Sequence, residues 1–120
     1  MRQALLIVDH GSRIEASNHL LAEIVDALRL KKPDLIIEMA HMELAEPTIE
    51  DGFKACVDKG ASHIIVHPYM LGPGRHATQD IPQMSAEAAN HHPQITFTVT
   101  DPLGLHDGIF QAIFDRAGLS

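Results

Sequence analysis

Four short apolar runs alternate along the chain with four segments of helical periodicity. Ala4-Leu5-Leu6-Ile7-Val8, Asp34-Leu35-Ile36-Ile37-Glu38-Met39, Ile64-Ile65-Val66 and Ile95-Thr96-Phe97-Thr98-Val99 are short and mostly aliphatic or β-branched, as buried strands are. Leu20, Leu21, Ile24, Val25 and Leu28 recur at helical spacing, and Lys31-Lys32-Pro33 supplies cations and then a stop. Pro47, Thr48 and Asp51 predict a helix start with a capping box; Phe53, Cys56 and Val57 share its inner face and Gly60 ends it. A third helix is expected from near Asp80, with Pro82 in its first turn, to about Asn90, and a fourth carries Ile109, Phe110, Ile113 and Phe114 before Gly118. This βα alternation predicts an α/β sandwich of three layers, a four-stranded parallel sheet with helices on both faces. With no internal repeat or linker, residues 1–120 read as one domain.

Composition narrows the partners. Nine Lys and Arg against sixteen Asp and Glu give a formal charge of −7, and no basic stripe carries interleaved aromatics, so nucleic acid is disfavoured. The apolar run at residues 4–8 is far short of a membrane span, and the expectation is no membrane association. A single cysteine cannot close an internal bridge, which suits a reducing cytoplasm.

Right-handed crossovers bring the loops that follow the four strands to one edge, where open α/β sheets bind ligands. That edge receives His10, His41, His67, His76 and His106, whereas His63, His91 and His92 precede strands. Asp9-His10-Gly11-Ser12-Arg13 and Leu71-Gly72-Pro73-Gly74-Arg75-His76 each set a histidine, an arginine and a glycine directly after a strand. Imidazole is the commonest ligand of borderline divalent metals, so His10 and His76 are the candidate pair, with positions left open for substrate.

In His41-Met42-Glu43-Leu44-Ala45-Glu46-Pro47, Glu43 and Glu46 can accept protons, add a ligand or orient a histidine. A carboxylate at a helix start, as Glu46 is, also gains from the helix dipole without catalytic duty. Gly72-Pro73-Gly74-Arg75-His76-Ala77 matches a dinucleotide fingerprint in form. Pro73 lacks an N–H to face a phosphate, and no acidic residue ends a strand about twenty positions on, so no nucleotide is expected. Arg13 and Arg75 suit bidentate contact with carboxylates around a central metal-receiving group. Such local cations would have to outweigh the net negative charge within a screening length of about 8–10 Å.

These motifs resemble the small class II tetrapyrrole chelatases, the short sirohydrochlorin cobaltochelatases and the siroheme-forming ferrochelatases. The resemblance rests on Val8-Asp9-His10-Gly11-Ser12-Arg13 with Asn18, on Met42-Glu43-Leu44-Ala45-Glu46-Pro47-Thr48-Ile49, and on residues 68–76 with Asp80-Ile81-Pro82. It implies a chelatase-like α/β sandwich that inserts Fe2+ or Co2+, with Ni2+ as a further candidate, into sirohydrochlorin without ATP, for siroheme or cobalamin. In that family the residue matching His10 binds metal and accepts protons, and the one matching His76 binds metal. The residues matching Glu46 and the loop of Leu71, Gly72, Pro73, Gly74, Arg75 and His76 contact the macrocycle. One imidazole nitrogen cannot hold a metal and a proton together, so a relay to Glu43 or Glu46 is attractive. The motif details lean toward the siroheme-type ferrochelatases, while Gly72 stands where many relatives carry a bulky apolar residue. Short members work as homodimers, and two copies are expected to build the full cavity. The alternatives are a metal-delivery protein without a macrocycle cavity and a nucleotide-binding module built on the glycine loop.

Overall fold

The structure, a computed structural model, describes residues 2–119. The chain runs β1 (Gln3–Asp9), α1 (Glu15–Lys31), β2 (Ile36–His41), α2 (Ile49–Asp58), β3 (His63–Pro68), a π-helical turn (His76–Asp80) leading into α3 (Ile81–Ala89), β4 (Thr96–Val99) and α4 (Asp107–Ala117). All strands are parallel, in the order β2-β1-β3-β4. The expected α/β architecture is thus present.

Alternation along β1 divides the core. Ala4, Leu6 and Val8 face α2 and α3 in a cluster with Phe53, Cys56, Ile64, Val66 and Ile81, whereas Ile7 faces α1 with Leu21, Val25 and Ile37. The capping box of α2 is formed: Asp51 N donates to Thr48 Oγ1 at 3.2 Å and Thr48 N to the Asp51 carboxylate at 2.9 Å.

One strand shifts and one turn is added, and both alter the site. β2 begins and ends two residues later than the apolar run suggests, because a turn closed by Leu35 N and Lys32 O occupies its start and pairing with β1 continues to Asp9 opposite His41. His41 is therefore a strand residue and not part of a loop. α3 starts at Ile81 with Pro82 in its first turn, as expected, but a π-helical turn over His76–Asp80 precedes it. Gly74 O accepts from Ala77 N and Thr78 N, and His76 O accepts the Ile81 N–H five residues on. Pro82 has no N–H and its ring would press on the carbonyl four residues back, which the widened turn relieves.

α4 departs most from expectation. It forms where predicted and ends on Gly118 at φ 74°, yet none of its residues is buried, and Phe110, Ile113 and Phe114 lie open on one side. On the face away from α2 and α3, β3 and β4 carry His63, Ile65, His67, Thr96 and Thr98, only half-buried or exposed.

Candidate metal centre

Because the chain passes from β1 to β2 on one side and returns to β3 on the other, β1 and β3 flank the sheet's topological switch point. His10 follows β1 directly and His76 ends the loop after β3. Their rings meet edge to face, with centroids 4.9 Å apart and planes at 89°. Metal–nitrogen bonds of about 2.0–2.1 Å let two imidazoles this close share one ion. Among the described residues no group of three His, Cys, Asp or Glu is arranged to hold a metal, so the pair leaves most of a coordination sphere free.

The loop carrying His10 is held by its backbone. Met42 N donates to Asp9 O at 2.9 Å and Glu43 N to His10 O at 3.1 Å, extending the β1–β2 pairing past the strand ends. Gly11 sits at φ 85°, where a Cβ would lie 1.8 Å from Glu43 O, so no other residue fits there. Ser12 and Asn18 then close the loop: Ser12 N donates to Asn18 Oδ1 and Asn18 Nδ2 to Ser12 O, at 2.9 and 2.7 Å.

The other three histidines expected at this edge do not join the pair. His41 is buried and places Nδ1 2.6 Å from Asp9 Oδ1. His67 bonds Thr100, and burial lowers its pKa. His106 accepts from Gly108 N and caps α4. Cys56 lies in the core, where burial pushes its thiol pKa up to about 12, away from thiolate ligation.

The two candidate glutamates occupy different hollows. Glu43 shares a cavity of about 360 Å³ with Met42, His76, Asp80, Met84 and Glu87. Glu46 shares one of about 410 Å³ with Ser12, Arg13, Asn18 and His41. His10 borders a smaller one, about 230 Å³, with Leu20, Ile24 and Tyr69. A larger hollow of about 780 Å³ lies elsewhere, by Arg2, Leu35 and Lys59, where Arg29 and Lys59 are already paired with Glu38.

The loops that carry the two histidines and the turn after β2 also present apolar side chains to solvent. Ile14, Leu44, Tyr69 and Leu71 are exposed, and nothing approaches a Cβ built on Gly72 or Gly74 within 4 Å. Arg13 and Arg75 are exposed and make no ion pair among the described residues. Sequence reasoning missed two pairs, Asp9 with His41 and His76 with Asp80, whose Nδ1–Oδ2 distance is 2.8 Å. The second was visible as a four-residue spacing at a helix start; the first needed the register of β2.

The fold and its edge define an open parallel α/β domain whose switch point carries paired imidazoles. The chain belongs to the CbiX family, whose model matches residues 4–118. It is 46% identical over 112 residues to a chloroplastic sirohydrochlorin ferrochelatase of Arabidopsis thaliana, covering 93% of this chain and 50% of that protein. A sirohydrochlorin cobaltochelatase of Methanocaldococcus jannaschii is 31% identical over 139 aligned residues, covering 96% of this chain and 97% of that one. The solved structure of the sirohydrochlorin chelatase SirB from Bacillus subtilis subspecies spizizenii in complex with cobalt superposes with a TM-score of 0.90 at 37% identity, over 98% of this chain and 50% of that chain. The chain spans about half the length of the ferrochelatases it matches.

Proposed function

We propose that this chain is a sirohydrochlorin chelatase that takes Fe2+ or Co2+ as substrate between His10 and His76 and inserts it into the macrocycle without ATP. The observation that carries the reading is the 4.9 Å perpendicular approach of those two rings at the switch point. The relatives' names support both the macrocycle and the choice of iron or cobalt. A flat tetrapyrrole suits the apolar surface of Ile14, Leu44, Tyr69 and Leu71. The open backbone of Gly72, Pro73 and Gly74 lets the ring approach closely, and Arg13 and Arg75 serve its peripheral carboxylates.

Insertion exchanges one metal ion for two pyrrole protons. A neutral imidazole of His10 takes a proton only when its nitrogen is not on the metal, so a second acceptor is required. Glu43 fills that role better than Glu46, because it shares its cavity with His76. Glu46 lies with Arg13 and serves substrate binding. The reducing cytoplasm or an equivalent compartment suits the buried free Cys56, and no described helix is long and apolar enough to cross a membrane.

A homodimer completes the assembly in this reading. The exposed Phe110, Ile113 and Phe114 on α4, with half-buried Ile109 beside them, and the face of β3 and β4 that carries Ile65 among His63, His67, Thr96 and Thr98 both lack cover in one chain. A second copy supplies each with the other.

Anaerobic absorbance spectra of sirohydrochlorin with Fe2+, Co2+ or Ni2+, with and without protein and without ATP, test the activity. Acceleration that disappears in His10→Ala supports the reading. Metal binding with no acceleration and no affinity for the macrocycle would assign the chain to metal delivery.

A further inference from the structure

The value of His76 as a metal ligand depends on what holds its other nitrogen. Nδ1 lies 2.8 Å from Asp80 Oδ2, and an ionised carboxylate only accepts, so Nδ1 carries the proton and Nε2 keeps its lone pair. Among the described residues the Asp80 carboxylate makes no other side-chain hydrogen bond or ion pair.

The backbone fixes this pair. His76 and Asp80 begin and end the π-helical turn, in which His76 O accepts the Ile81 N–H, and a four-residue spacing sets both side chains on one face. The turn is clamped from the core side by Ala77 and Ile81, both buried, and from the chain side by Pro82, whose ring fixes its own φ. The turn therefore presents the carboxylate to one nitrogen of a ring whose centroid lies 4.9 Å from that of His10 and, among the described residues, leaves the other nitrogen without a protein hydrogen bond.

We propose that Asp80 is a positioning residue for metal capture: it holds His76 in the Nδ1–H tautomer with Nε2 ready for the ion. The proposal rests on reading His76 as a metal ligand. A carboxylate behind a ligating imidazole orients the ring, fixes the tautomer and strengthens the donor. Without it the ring turns freely and the proton can settle on Nε2, which metal must then displace. A mere surface pair does much less. With side chains 44% and 37% exposed, the bond contributes little to helix stability, so a purely structural role leaves metal binding unaltered.

The test compares Asp80→Asn, Asp80→Glu and His76→Ala with the unsubstituted protein. Co2+ titration is followed by the visible absorption of the bound ion, and the imidazole 15N spectrum is recorded without metal. Asp80→Asn is expected to retain its far-ultraviolet circular dichroism, to lose the Nδ1–H signature of His76, and to bind Co2+ about 10- to 100-fold more weakly. Asp80→Glu, which keeps an acceptor-only carboxylate where Asn offers both an amide oxygen and an NH2 donor, is expected to recover part of both. Unchanged affinity and tautomer in Asp80→Asn, with binding weakened in His76→Ala, overturns the proposal and leaves the ligand role of His76 standing. Unchanged affinity in His76→Ala overturns both. Should Asp80→Asn lose helicity, the imidazole spectrum of Asp80→Glu decides: retained Nδ1–H supports the proposal and its loss overturns it.

Discussion

Asp9 and His41 stand opposite each other at the ends of β1 and β2, joined by a 2.6 Å bond between Oδ1 and the Nδ1 of a ring that is 1% exposed. The same Oδ1 accepts from Gly11 N at 3.0 Å. One carboxylate thus ties the second strand and the turn after His10 to the end of the first. His41 Nε2 finds no protein partner, so Asp9 is the ring's single anchor among the described residues.

Asp9→Ala leaves a buried imidazole without that anchor and frees Gly11 N. The expected loss is about 1–3 kcal/mol of folding stability, read as a lower urea midpoint at pH 7. Because Gly11 directly follows His10, the variant is also expected to bind Co2+ less tightly than Arg13→Ala does. Stability and Co2+ affinity both equal to those of the unsubstituted protein would show that the pair anchors nothing.

The separation of Glu43 from Glu46 gives a kinetic prediction. Glu43→Gln removes a proton acceptor from the hollow beside His76 and is expected to lower kcat by about 10²–10⁴-fold with little change in KM for the macrocycle. Glu46→Gln, beside Arg13, is expected to raise KM and leave kcat nearly intact. Steady-state absorbance assays with varied sirohydrochlorin distinguish them, and the reverse pattern would exchange the two roles.

Much of this arrangement is legible in the sequence. The apolar runs gave the parallel sheet, and right-handed crossovers alone bring His10 and His76 to one edge, where the rings meet. The place of His41 is not legible, because the run ending at Met39 does not reveal how far pairing continues, and two more residues of β2 turn a loop histidine into a buried one. Pro82 marks the first turn of α3 correctly, but nothing in the residue pattern reveals the π turn over His76–Asp80 that precedes it. The helical periodicity of residues 107–117 matches α4, but periodicity reports only that a face wants cover and not which surface covers it.

His67 gives a pH prediction. Burial lowers its pKa below the ordinary histidine value, so near pH 6 the unfolded chain binds more protons at this residue than the folded one does. The stability that neutral His67 contributes is present above the unfolded pKa of about 6.5 and is lost as pH falls through it. Urea midpoints measured at about pH 7.5 and about pH 5.5 are expected to fall less in His67→Gln than in the unsubstituted protein. Equal decreases would mean that the ring titrates alike in both states.

The bare face of α4 makes the last prediction the most accessible. Phe110 and Phe114 are 42% and 49% exposed, one turn apart on the same face, with Ile113 beside them at 58%. Full burial of a phenylalanine contributes about 1.5–3 kcal/mol, so covering four rings that are each about half exposed, two from each copy, contributes about 3–6 kcal/mol toward a dimer. The double substitution Phe110→Asp with Phe114→Asp places charge in that face while touching nothing buried in one chain. Sedimentation velocity is expected to find a dimer for the unsubstituted protein and a monomer for the variant, both with the same circular dichroism. Because α4 follows directly from the loop of Leu103 and Gly104, which bonds the backbone of Met70 and Leu71 beside the glycine loop, the monomer is also expected to lose macrocycle affinity. A monomeric unsubstituted protein with full chelatase activity would show that α4 has no part in closing the site.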